Sequence, residues 1–364
     1  MLPIRETMCK GGLSMAEPIL SVRDLVVRFS LRGQTLTAIR GASLDLYQGE
    51  SLAIVGESGS GKSVLTKSFM GMLDGNGRID GGTIRFDGEN IAAYTTEKEW
   101  LKIRGKRIAM VFQDPMTALS PLMPVGKQIA ETLTLHQGLR GRAAKQRAIE
   151  ILRDVGIVNP EKRYKQYPHE FSGGMRQRVV IAIAIACNPE ILICDEPTTA
   201  LDVTIQAQIL HLLRDLQKQY GLTLIYITHD LGVVANVADR IAVMYAGDIV
   251  EIGTSDEIFF DARHPYTWAL LSSLPQLGEH GKDLFAIAGT PPNLFRPVRG
   301  DAFAPRNPYA LKIDFEYRPP YFEVTPTHKA KTWLLSDRAP KIDPPEAIRS
   351  IKNLVPLGGD LHDL

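Results

Sequence analysis

One stretch, GESGSGKS at residues 56–63, constrains this chain more than any other. It matches the phosphate-cradling pattern G-x-x-x-x-G-K-[ST], and its flanks suit that reading. SLAIVG (51–56) is a continuous apolar run with the character of a strand buried on both faces, and SVLTKSFMGML follows as a helix. Gly56, Glu57, Ser58, Gly59, Ser60 and Gly61 would let consecutive backbone N–H groups curl around an anion. The helix N-terminus adds a positive dipole. Lys62 would reach the β- and γ-phosphates, and the Ser63 hydroxyl would hold Mg²⁺. Strand, glycine loop and helix in this order imply an α/β fold that binds a nucleoside triphosphate.

Two further stretches bear on the same phosphate. In ILICDEP (191–197) an apolar strand ends on two acids. Asp195 would contact the Mg²⁺ shell, and Glu196 would be the base that polarises an attacking water. Two acids closing an apolar run also suit a solvated strand end; the P-loop upstream decides for chemistry. FSGGMRQR (171–178) then places Ser-Gly-Gly at the mouth of an apolar helix. Glycine pairs usually end helices, so one that opens a helix suggests a close approach to its free amides. A hydroxyl, bare amides and a dipole suit a γ-phosphate, yet the chain already has a P-loop for it. Both can serve one nucleotide if they come from different subunits facing each other.

These residues resemble the ATP-binding cassette family, whose signature motif completes the partner's site across a head-to-tail dimer. Here that motif reads Phe171-Ser172-Gly173-Gly174-Met175. The resemblance extends to Gln113 in VFQDP, implied to contact Mg²⁺ and the lytic water and to report occupancy to a membrane partner. It implies a dimer contact for Asp202 in TALD, a γ-phosphate hydrogen bond for His229 in YITHD, and an adenine stack for Phe29. Read alone, Phe29 also suits a core position in a strand. The implied fold is an α/β, P-loop NTPase nucleotide-binding domain with a helical insertion, here about residues 114–178 within a domain of 19–260. A flexible N-terminus (1–18) and a loop-rich extension (261–364) flank it.

Bulk properties agree with such a module. The net charge of +1 argues against a dedicated nucleic-acid binder. Cys187 and Cys194 lie in apolar runs and read as small buried hydrophobes, with Cys9 apart from both. The first twenty residues lack an apolar core of the length a secretion signal needs, so none is expected, and Met15 is an alternative start. VVIAIAIAC (179–187) is too short to span a bilayer.

One cassette without a membrane span looks like an importer's ATPase subunit, at the cytoplasmic face of the membrane. Met175, where glutamine is usual, and RHPYTWALLSSLP (263–275) look like the oligopeptide/dipeptide permease branch, especially its Gram-positive oligopeptide members. That resemblance implies ATP and Mg²⁺, a second homologous ATPase subunit, two transmembrane permease subunits and an external peptide-binding lipoprotein. Dipeptides or a nickel chelate are alternative cargoes, and a soluble non-transport cassette is the alternative class. Many relatives carry four cysteines in the extension, resembling an iron–sulfur ligand set. Asp301, Asn307, Asp314 and Trp333 stand there in this chain, so no cluster is expected. Packing of Phe303, Tyr309, Phe315 and Trp333 is expected to hold the extension instead.

Overall fold

The computed structural model describes residues 17–199, 201–274, 287–346 and 348–349. Residues 1–16, including Cys9 and Met15, lie outside the described residues. Two sheets organise the chain. The first is antiparallel, in the order β2-β1-β4-β5, from β1 (Leu20–Leu31), β2 (Gln34–Leu46), β4 (Gly77–Phe86) and β5 (Glu89–Asn90). The second has eight strands in the order β11-β12-β10-β9-β3-β8-β7-β6. Its members are β3 (Ser51–Val55), β6 (Ile108–Val111), β7 (Ile191–Asp195), β8 (Thr223–Thr228), β9 (Arg240–Tyr245), β10 (Asp248–Thr254), β11 (Phe322–Glu323) and β12 (Lys329–Ala330). Strands β6, β7, β8, β3 and β9 run parallel, whereas β10, β12 and β11 are antiparallel additions.

The continuous apolar runs have a direct structural cause. Successive strand side chains point to opposite faces. Leu52 and Ile54 of β3 enter the core shared with the antiparallel sheet, while Ala53 and Val55 enter a second core on the other face. Strand β7 does the same, with Ile191 and Ile193 on one side and Leu192 and Cys194 on the other. Both faces are covered, so neither strand can alternate with polar residues. Cys194 and Cys187 are buried and free; burial pushes the Cys187 thiol up to about 11 and Cys194 higher still.

Between β6 and β7 the chain builds helices over Val125–Gln137, Gly141–Asp154 and Gly173–Ile185, with short turns between them. The last returns to the core through Val179, Ile181 and Ile185. No helix among the described residues is long and apolar enough to cross a membrane.

The C-terminal extension is stitched into the sheet rather than merely appended. Glu251 and Ile252 of β10 pair with Ala330 and Lys329 of β12. The fully buried Glu251 meets the equally buried His328 at 2.8 Å and also accepts the backbone N–H groups of Arg263 and His264. Phe303 packs edge-on against Tyr245 and Tyr266, and Tyr309 against Trp268. Trp333 lies against Phe322 and donates its ring N–H to the Tyr317 carbonyl. The expected packing role of Phe315 is corrected: its ring is 53% exposed, because its short 3₁₀ turn faces it outward.

Asp301, Asn307 and Asp314, at three of the expected cysteine positions, are buried. Each spends a side-chain oxygen on a local turn, accepting from the N–H of Phe303, Tyr309 and Leu311 at 3.0, 2.9 and 2.6 Å. Burial raises the Asp314 carboxyl above its usual range, and Asp301 adds to that rise.

Candidate nucleotide site

The P-loop follows directly from the end of β3. Gly56 has φ 156°, and a Cβ there would sit 2.1 Å from the Met244 carbonyl oxygen, so only glycine fits. Gly61, at φ 106°, turns the chain into the helix Lys62–Ser68. Lys62 folds back over the loop and donates to the Gly56 and Glu57 carbonyls at 2.7 and 3.0 Å. Burial lowers its ammonium below the usual range, opposed by Glu196, Asp195 and Glu57. The Ser63 hydroxyl donates to Asp195 Oδ1 at 3.1 Å. A hydroxyl and a carboxylate at that distance form a hard-oxygen pair suited to a hard divalent cation. Burial is also the main reason that the Asp195 carboxyl is raised above its ordinary value.

Glu196 sits at the centre of the polar end. Its Oε2 accepts from Gln113 Nε2 at 2.8 Å and from Thr199 Oγ1 at 3.0 Å, and its Oε1 lies 3.2 Å from His229 Nδ1. Its backbone takes φ 45°, in the left-handed region that non-glycine residues seldom adopt. A cleft of about 1040 Å³ joins these groups to Phe29, Leu31, Leu36 and Ala38. Glu57, Ser58, Gly59, Gly61, Lys62, Ser63, Gln113, Asp195, Glu196 and His229 all line it. Phe29 is only 9% exposed, its ring packed where a Cβ on Gly77 would come within 2.5 Å. The glycine loop, the Ser63–Asp195 pair and the Glu196 carboxylate thus share one cleft, which is apolar at its Phe29 end.

The signature segment stands apart. Residues 172–175 do not line this cleft, and Ser172 and Gly173 are exposed at the start of the helix Gly173–Ile185. Ser172 caps the helix, accepting the Met175 N–H at 3.4 Å. Asp202 is exposed and caps the next helix, Val203–Tyr220, accepting the Ile205 N–H.

Sequence reasoning missed two groups. Arg306, whose side chain is 5% exposed, grips Glu57 of the P-loop with two bonds of 2.7 and 2.9 Å. The Tyr266 hydroxyl accepts the Glu57 N–H at 2.8 Å. No local pattern announces either contact, although Glu57 is the one charged residue among the four free positions of the P-loop pattern.

Comparison with known proteins accords with this geometry. Residues 39–199 match the model of the family described as "ABC transporter", and residues 250–313 match "Oligopeptide/dipeptide transporter, C-terminal region". The chain is 57% identical over 337 residues to the oligopeptide transport ATP-binding protein AmiE of Streptococcus pneumoniae, covering 93% of this chain and 95% of the relative. The chain belongs to the ABC transporter family. Other ABC relatives include the oligopeptide transport ATP-binding protein OppD of Bacillus subtilis, 59% identical over 91% of this chain and 93% of the relative. The dipeptide transport ATP-binding protein DppD of Lactococcus lactis is 56% identical over 91% and 95%. Among solved structures, an ABC cassette dimer in a post-hydrolysis state with ADP and Pi matches with a TM-score of 0.58. It is 27% identical and covers 65% of this chain and 98% of that one.

Proposed function

We propose that this chain is the ATP-hydrolysing subunit of an ABC importer that powers oligopeptide uptake through separate permease subunits. The observation that carries this reading is Glu196, held by Gln113, Thr199 and His229 at the end of a cleft floored by the P-loop. The P-loop amides and Lys62 would hold the triphosphate, and Glu196 would take the proton of the attacking water as it meets the γ-phosphate. Gln113 and His229 orient that carboxylate. Ser63, Asp195 and Gln113 would hold Mg²⁺, which when bound neutralises charge on the β- and γ-phosphates. Phe29 would contact the base.

The exposed Ser172–Met175 segment would meet the γ-phosphate bound to a second, homologous ATPase subunit, with Asp202 touching that subunit. The exposed apolar Met116 and Leu122, shortly after Gln113, are surface that a permease would cover. These placements support a peripheral position on the cytoplasmic face of the membrane, with two permease subunits and an external peptide-binding lipoprotein completing the importer. The names of the relatives favour peptides as cargo, oligopeptides before dipeptides.

Deleting the gene tests the reading. Cells should lose growth on defined oligopeptides as the sole source of a required amino acid. The wild-type gene should restore growth, and Lys62→Ala should not. Unimpaired growth of the deletion strain on every peptide tried would contradict the proposal.

A further inference from the structure

The nucleotide cleft is not built by the cassette alone. Leu270, Pro292, Asn293, Leu294 and Phe295, all beyond β10, line the same cleft as Phe29 and Lys62. Their position within it follows from the strand register. The Thr37 N–H on β2 donates to the Leu294 carbonyl at 3.1 Å. Neighbouring Leu36 lies opposite Phe29 on β1, and Phe29 lies opposite Gly77 on β4. Leu294 and Phe295 therefore stand beside the apolar, Phe29 end of the cleft, away from Glu196.

This segment is pinned at both ends. At its start, Arg306 donates to the Ile287 and Ala288 carbonyls at 3.2 and 2.9 Å while it grips Glu57. At its end the Leu294 carbonyl is held by β2. Between them Asn293 Oδ1 accepts the Phe295 N–H at 2.9 Å, a local turn that fixes how Phe295 is presented. Phe295 is 41% exposed, whereas Phe29 is 9% exposed and packed over Gly77. A partly exposed aromatic ring lining the same cleft as the mostly covered Phe29 offers a flat heteroaromatic ligand a face to stack on.

We propose that the C-terminal extension supplies part of the base-binding wall, with Phe295 contacting the adenine of the ATP held by this chain's P-loop. The inference rests on the P-loop reading above. The extension thereby takes part in nucleotide binding: Phe295 meets the base, and Arg306 ties the segment to the loop that meets the phosphates.

The test compares ATP with tripolyphosphate, which has the phosphates but neither base nor ribose, in binding to the full-length chain with Mg²⁺. Phe295→Ala should weaken ATP about tenfold, the scale of one base–aromatic stack, and leave tripolyphosphate unchanged. Phe295→Tyr should retain wild-type ATP affinity. Unchanged ATP affinity in Phe295→Ala would overturn the proposal, as would an equal loss for both ligands, which would mean that the segment acts through the P-loop. Lys62→Ala separates the two claims: if it left both ligands bound as tightly as before, the P-loop reading would fail instead.

Discussion

Glu196 is where the polar end of the cleft converges, and its backbone carries a cost. A non-glycine residue at φ 45° is worth of order 1–3 kcal/mol of strain and persists only when its surroundings fix it. Here its N–H donates to the Ile227 carbonyl, and its carboxylate is met from three directions by Gln113, Thr199 and His229. The acid itself was legible in the sequence because it closes the run ILICD. Its left-handed turn was not, since that depends on β8 lying beside β7. Glu196→Gln keeps the side chain's shape and removes its basicity. ATP binding to the variant should match wild type, while turnover at its site falls by about 10²–10⁴. Equilibrium binding and single-turnover hydrolysis measure the two separately, and wild-type hydrolysis would remove Glu196 from the role of base.

At the scale of elements, the signature helix shows two kinds of glycine. A Cβ on Gly173 would meet Leu201 at 3.6 Å, an ordinary contact, but on Gly174 it would come within 2.7 Å of Ile205. The Ser-Gly-Gly start was read from sequence as an approach by phosphate. Half of that reading has a local competitor: Gly174 also lets this helix pack closely on the start of the next. The contact partner lies 31 positions along the chain, beyond any local pattern. Gly174→Ala should therefore lower the melting temperature, by the roughly 1–3 kcal/mol typical of overpacking. Gly173→Ala should leave stability near wild type and reduce ATP-driven turnover of the assembled transporter. Equal melting temperatures for the two variants would contradict this division. Buried strands β3 and β7, by contrast, were legible, because covering both faces leaves a continuous apolar run, whereas the equally buried four-residue β6 was not read.

For the whole molecule, the extension was the part least legible in advance. Its aromatic and proline content marked it as loop-rich, and Phe303 and Tyr309 do pack as expected. Its attachment left no local signal. Strands β11 and β12 have two residues each, too few for any period, and Arg306 meets Glu57 across 249 positions. On the proposed function, the assembly as a whole turns on a site divided between two chains. Ser172 is exposed and outside its own chain's nucleotide cleft, and that is the feature on which a composite site depends. The most direct measurement is uptake of a labelled oligopeptide into ATP-loaded proteoliposomes holding this chain, its partner ATPase, the permease subunits and the binding lipoprotein. With Ser172→Arg, uptake should fall to background while this chain's P-loop still binds ATP with wild-type affinity. Uptake at the wild-type rate would contradict the account, because the signature helix would then meet no phosphate.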